Sequence, residues 1–284
     1  MAANRLVRFL RLLFLGAALL AAAGCPVYNQ ECSPIVTDPD AITGWLGGDV
    51  QTTKPVVRTQ DNPFGQLVAE AYYHAFDTSS AALRPDVGMQ NAGSIRSEGV
   101  CVSREVVKKG PVRRSVLREV MPFDNGVVVL TVTHHQLKQI LEHAVSGLSP
   151  TGSIAPPGAF MQLYGITVEA NCNNQPELLK ADGTVDREGT RVTAITLHKR
   201  DGTSEPISLS TSDWDERTVR LATNSYIGEG GDNFVAFKGA DRKNMLDAGG
   251  NDFEIIAAYF KKAYTESSPL PATPAQRWLF TDCH

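Results

Sequence analysis

The chain has 284 residues, with 27 Lys and Arg against 31 Asp and Glu, and a formal charge of −4 at neutral pH. That mildly acidic balance does not attract a phosphate backbone and argues against nucleic acid as a partner. With 42% apolar residues, the length suits one large domain or two small ones around a real core.

Residues 1–24 carry Arg5, Arg8 and Arg11 and no acid, then an apolar run from Leu12 to Ala23. A charged start, a short apolar middle and small residues before a cut mark a secretory signal peptide. As a helix the apolar run would span about 18 Å against about 30 Å of hydrocarbon, too short for an anchor. Ala22-Ala23-Gly24-Cys25 is similar to the bacterial lipobox, with Ala22 where Leu is usual. The expectation is a chain exported and lipid-anchored through Cys25 to a bacterial membrane, facing the periplasm or cell surface. The other reading is an ordinary cleaved signal with Cys25 in a disulfide. Removing residues 1–24 leaves 260 residues and takes the formal charge from −4 to −7.

Four further cysteines, Cys32, Cys101, Cys172 and Cys283, match no zinc spacing. In an oxidising compartment an even number reads as two disulfides, with three pairings open.

Residues 25–51, rich in Pro, Gly, Asp and Thr, read as the lipidated Cys and a linker, with the folded domain over residues 52–284. Asn62-Pro63 opens a helix whose stripe is Phe64, Leu67, Val68, Ala71, Tyr72 and Ala75, a capping side chain followed by Pro at the first helical position. Gly126 to Thr133 reads as a strand, and a helix follows from about His135 to Val145 with Leu137, Ile140, Leu141 and Ala144 at helical spacing. Gly165 to Ala170, Arg191 to His198 and Thr218 to Asn224 are further strands, and a third helix covers about Asp252 to Tyr264. Interspersed helices and strands predict an α+β (mixed α/β) fold with mixed sheets flanked by helices.

The six histidines, at positions 74, 134, 135, 143, 198 and 284, lie in no metal-binding motif. His134-His135 is expected at the surface or at a cap, since adjacent residues point in different directions. No Gly-x-Ser-x-Gly elbow, Walker loop or dinucleotide fingerprint occurs. Neither a catalytic residue nor a metal or cofactor site is therefore assigned to this chain.

Four segments, in order, resemble the 5'-nucleotidase C-terminal domain, the substrate-binding half of periplasmic and cell-surface nucleotidases and UDP-sugar hydrolases. They are Asn91-Ala-Gly93-Ser-Ile95-Arg96; Val120-Met121-Pro122-Phe123-Asp124-Asn125 running on to Leu141-Glu142-His143; Gly158-Ala-Phe160-Met161-Gln162-Leu163-x-Gly165; and Leu221-Ala-Thr223-Asn224-Ser-Tyr226-x-Gly228-x-Gly230-Gly231-Asp232-Asn233-Phe234. Gly65-Gln66-Leu67-x-x-Glu70-Ala71 follows the family's helix. The resemblance covers about residues 52–270 and implies a substrate site of Asn91, Gly93, Arg96, Phe160, Asn224, Gly230, Gly231, Asp232 and Phe234. In it Phe160 and Phe234 would stack on a base, worth about 1–3 kcal/mol per base. Arg96 would fork onto a phosphate oxygen, Asn91 would meet a base edge or ribose hydroxyl, and Asp232 would hold the Gly-rich loop. Gly93 suits a tight turn as well as a ligand contact.

Departures are equally informative. The family's full-length enzymes carry a metallophosphoesterase domain with two metals, and none is recognised here. Gln60 stands where the family has a further phosphate-binding arginine, leaving Arg58 as the substitute, while Asn233 and Ala92 replace glycines. The resemblance thus implies a lipoprotein that binds a nucleotide or nucleoside for nucleotide catabolism, alone or with a separate metallophosphoesterase chain that would bring the divalent metals. The alternative is a structural or interaction lipoprotein that kept the fold without a ligand.

Overall fold

The computed structural model describes residues 36–97, 104–152, 157–210, 212, 216–238, 240–243 and 251–284, within one packed unit from Val36 to His284. Cys25, Cys32 and Cys101, and with them the signal peptide and lipidation readings, lie outside the described residues.

At the centre is a mixed five-stranded sheet in the order Asp241–Lys243, Val127–Thr133, Thr218–Asn224, Val87–Asn91, Met161–Tyr164. Thr218–Asn224 runs antiparallel to Val127–Thr133 and parallel to Val87–Asn91. Alternation along Val127–Thr133 gives each face its own core. Val128, Leu130 and Val132 pack into one, Val127 and Val129 into the other. A strand covered on both faces reads as an unbroken apolar run, which is why Val127-Val128-Val129-Leu130 shows no polar residue.

One face is covered by the helices Pro63–His74 and Asp252–Ala263, whose Phe64, Leu67, Val68, Phe253, Ile256 and Phe260 share its core. The other receives the helix His134–Val145 and a four-stranded sheet ordered Ser204–Ile207, Val192–His198, Ile166–Asn171, Trp278–Thr281. The helix starts follow side-chain chemistry. Asn62 accepts from the amides of Phe64 and Gly65, Thr133 and Gln136 form a reciprocal capping box, and Asn251 accepts from the Glu254 amide. The expected helices and the four expected strands are all present within a residue or two, and the fold is the expected α+β with mixed sheets.

The packed unit starts earlier than Thr52. Ile42–Leu46, within the expected linker, is a strand antiparallel to Gly110–Arg113, and Thr43, Leu46 and Val50 are buried. Gly44 reads as linker composition, yet here it is steric. A Cβ on it would lie 2.3 Å from the ring of Phe260.

Cys172 and Cys283 are joined in a disulfide 111 residues apart in sequence, fastening the last residues beside the Ile166–Asn171 strand.

Candidate functional site

Two parallel neighbours of the central sheet, Val87–Asn91 and Thr218–Asn224, end beside each other, and a cleft of about 500 Å³ opens there. Its lining includes Arg58, Asn91, Gly93, Arg96, Phe123 and Tyr226, with Ser94, Asn125, Gly158 and Asp232 completing it.

Its two cations come from separate loops. Arg96 follows the turn that closes after Asn91; its amide donates to Val120 O at 2.9 Å and its guanidinium stands 5.2 Å from the centre of the Phe123 ring. Arg58 sits on a loop held by buried Gln162, whose Nε2 donates to Val57 O at 2.9 Å and Gln60 O at 2.8 Å and whose Oε1 accepts from Asn62 N at 2.8 Å. The substitute Arg58, not Gln60, thus lines the cleft together with Arg96. Two arginines lining one cleft suit bidentate contact with phosphate oxygens.

The segment carrying Phe123 is fixed from below. Arg118 pairs with Asp124 at 2.5 Å and stands over the Phe253 ring. Buried Asp252 accepts from the Asn125 amide at 3.0 Å and from Tyr72 Oη at 3.3 Å. Burial pushes the Asp252 carboxyl up to about 6, against the hydrogen bonds from Asn125, Phe253 and Tyr72 that favour its charge.

The expected stacking rings are elsewhere. Phe160 is 0% exposed, packed against Trp278 and Phe280, and Phe234 is 1% exposed, with the His143 ring edge-on and Phe237 beside it. Neither presents a face to the cleft, so both are corrected to core residues. Phe123 and Tyr226, 42% and 48% exposed, are the rings that line it. An aromatic so exposed leaves a face for a ligand. The glycines near Phe160 and Phe234 do not bring either ring into the cleft. The better signal was position: Phe123 lies between Pro122 and Asp124 outside any periodic run, and Tyr226 lies just past a strand end.

Asn224 is also corrected. It is 0% exposed, donating to Gln90 Oε1 at 3.1 Å and Asn91 Oδ1 at 3.0 Å, and so supports the cleft from behind. Gly230 and Gly231 shape the loop rather than line the cleft; Gly230 has φ 90°, and a Cβ on Gly231 would meet the Tyr226 ring at 2.6 Å. Asp232 and Asn91 do line it, though Asp232 Oδ2 accepts from Asn91 Nδ2 at 3.0 Å and Asn91 Oδ1 from Ser94 Oγ at 2.8 Å.

Several histidines have local partners. His74 meets Asp77 at 2.7 Å, His135 meets Glu188 at 3.0 Å, and His198 meets Thr167 at 2.7 Å. His143 Nε2 donates to Asp232 O at 2.8 Å. His134 is buried at 5% exposure, not at the surface; burial lowers its tendency to protonate.

The cleft sets two arginines, two exposed rings and amide and carboxylate groups at strand ends of a mixed α/β domain, groups whose chemistry can meet a flat ring and an anion. The same fold occurs in the 5'-nucleotidase precursor of Thermus thermophilus (TM-score 0.66, 23% identity, covering 94% of this chain and 43% of that one) and in the NAD nucleotidase of Haemophilus influenzae (TM-score 0.58, 20% identity, 86% and 38%). The chain belongs to the family described as 5'-nucleotidase, C-terminal domain, whose profile matches residues 43–239. Among curated relatives it is 28% identical to the trifunctional nucleotide phosphoesterase protein of Bacillus subtilis, over 75% of this chain and 12% of that protein. It is equally 28% identical to the probable 5'-nucleotidase of Treponema pallidum, over 79% and 34%. The chain thus spans well under half the length of these relatives.

Proposed function

We propose that this chain is an exported lipoprotein, acylated on Cys25, that binds a nucleotide or nucleoside as the substrate-binding part of a 5'-nucleotidase-type system. The observation that carries the binding is the convergence of Arg58 and Arg96 with the exposed rings of Phe123 and Tyr226 in one cleft. A base stacks on the rings and a phosphate meets the guanidiniums. The names of the relatives point to the same ligand class.

Binding a ground state does not lower the barrier of phosphate-ester hydrolysis, and metal-assisted hydrolysis needs ligands converging on one point. A metallophosphoesterase partner carrying the divalent metals would supply the turnover. A thermal-shift panel of nucleotides, nucleosides and UDP-sugars on the exported protein tests the binding, because a ligand of the folded state alone raises the melting point. Phosphate release from AMP with Mg, Mn, Zn or Co ions tests the division of labour. Turnover by the purified chain that Arg96→Ala abolishes would contradict it.

A further inference from the structure

An exposed tyrosine is ordinarily free to turn about its side-chain bonds. Tyr226 is not, although it is 48% exposed. Its hydroxyl donates to Asp232 Oδ1 at 2.9 Å and accepts from the Asp232 amide at 3.2 Å. The second oxygen of Asp232 accepts from Asn91 Nδ2 at 3.0 Å, and Asn91 Oδ1 accepts from Asn224 Nδ2 at 3.0 Å. Asn224 Oδ1 in turn accepts from the Ile227 amide at 2.9 Å, capping the short helix Ser225–Gly228 that carries Tyr226. These contacts close a circuit that begins and ends on Tyr226.

The loop holding Asp232 is unusual in a way that fits the circuit. Gly230, Asp232 and Asn233 have φ of 90°, 51° and 64°, and side chains persist in the left-handed region where their surroundings over-determine them. His143, bonded to Asp232 O at 2.8 Å and to Glu177 at 2.7 Å, supplies an anchor from the His134–Val145 helix.

We infer that Tyr226 is a positioning and specificity-determining wall of the cleft, its ring plane latched through its hydroxyl by Asp232 before any ligand arrives. A loose ring must be immobilised on binding and that ordering weakens the complex; a latched one has been ordered by folding. The latch favours a flat heteroaromatic ring over a puckered or flexible group. Its ligand rests on the nucleotide-binding reading above, whereas the latch belongs to the free protein.

Two measurements separate them. In ligand-free protein, amide hydrogen exchange read by NMR compares wild type with Tyr226→Phe, which keeps the ring and removes the anchor. The Asp232 amide loses its acceptor and exchanges at least about tenfold faster, with the melting temperature close to wild type. Unchanged exchange overturns the latch. Titration with a nucleoside then gives affinity about fivefold weaker for Tyr226→Phe. In an Asp232→Gly background, chosen because glycine accepts φ 51°, Tyr226→Phe costs less than in wild type, because the carboxylate contact is already gone and only the bond from the backbone amide of residue 232 to the hydroxyl remains to be lost. Wild-type affinity in Tyr226→Phe, with an intact wild-type response, overturns the positioning role. A wild-type protein that binds no nucleoside overturns the nucleotide reading, while the exchange rates still decide the latch.

Discussion

Asn224 donates its side-chain amide to Asn91 Oδ1 at 3.0 Å, tying the ends of two parallel strands together directly beneath the cleft. Both residues are buried, so the bond lies in a low-dielectric setting where leaving either group unpaired is costly. Asn224→Ala leaves Asn91 Oδ1 with Ser94 Oγ alone of its two donors, takes the Asn224 donor from buried Gln90 Oε1 and removes the cap of Ser225–Gly228. The expected loss is about 2–4 kcal/mol of unfolding free energy in denaturant titration, with ligand affinity falling as well.

The aromatic residues divide into two experimental classes. Phe160→Ala and Phe234→Ala should each destabilise the fold by about 3–5 kcal/mol, as core truncations do. Phe123→Ala and Tyr226→Ala should leave the melting temperature nearly unchanged and weaken nucleoside binding by about 1–3 kcal/mol. Calorimetric titration beside thermal melts reads both effects. The opposite pattern would restore Phe160 and Phe234 as the stacking pair.

Asp252 gives a pH signature. Burial raises its carboxyl from 3.8 to about 6, so between those values the folded state holds a proton the unfolded chain has released. Its contribution is present in full below about pH 4 and is lost as pH rises through 6, a difference of roughly 3 kcal/mol at 1.36 kcal/mol per unit. Asp252→Asn should flatten that part of the profile in denaturant titrations from pH 4 to 7. A wild-type slope in the variant would contradict the assignment.

The fold was legible where local chemistry and periodicity agreed. Asn62 before Pro63 and the apolar stripes of the helices announced their elements, and ordered motifs announced the family. Ile42–Leu46 was not legible because Gly44 fits beside Phe260, a packing fact with no local trace. The site was half legible. Asn91, Arg96, Asp232 and Arg58 follow from the family motifs, but burial of a ring depends on long-range neighbours such as Trp278 and Phe280, more than 110 residues from Phe160 in sequence. Phe123 and Tyr226 lay within the matched motifs and were passed over for that reason.

The disulfide Cys172–Cys283 closes a loop across 111 residues of sequence. Its removal by a Cys172→Ser and Cys283→Ser pair should cost about 2–5 kcal/mol of stability. Reductant should expose both thiols to a thiol reagent only after unfolding, since both cysteines are buried.

On the proposed function, one cleft holds a base on Phe123 and Tyr226 and a phosphate on Arg58 and Arg96. Isothermal titration of the exported protein with AMP and with adenosine, in wild type and in Arg96→Ala, tests it most directly. Saturable binding of both ligands is expected, tighter for AMP by about 1.5–3 kcal/mol, the range for hydrogen bonds to charged groups, with a much smaller difference in Arg96→Ala. Binding of neither ligand, or an AMP preference unaltered by Arg96→Ala, would contradict it.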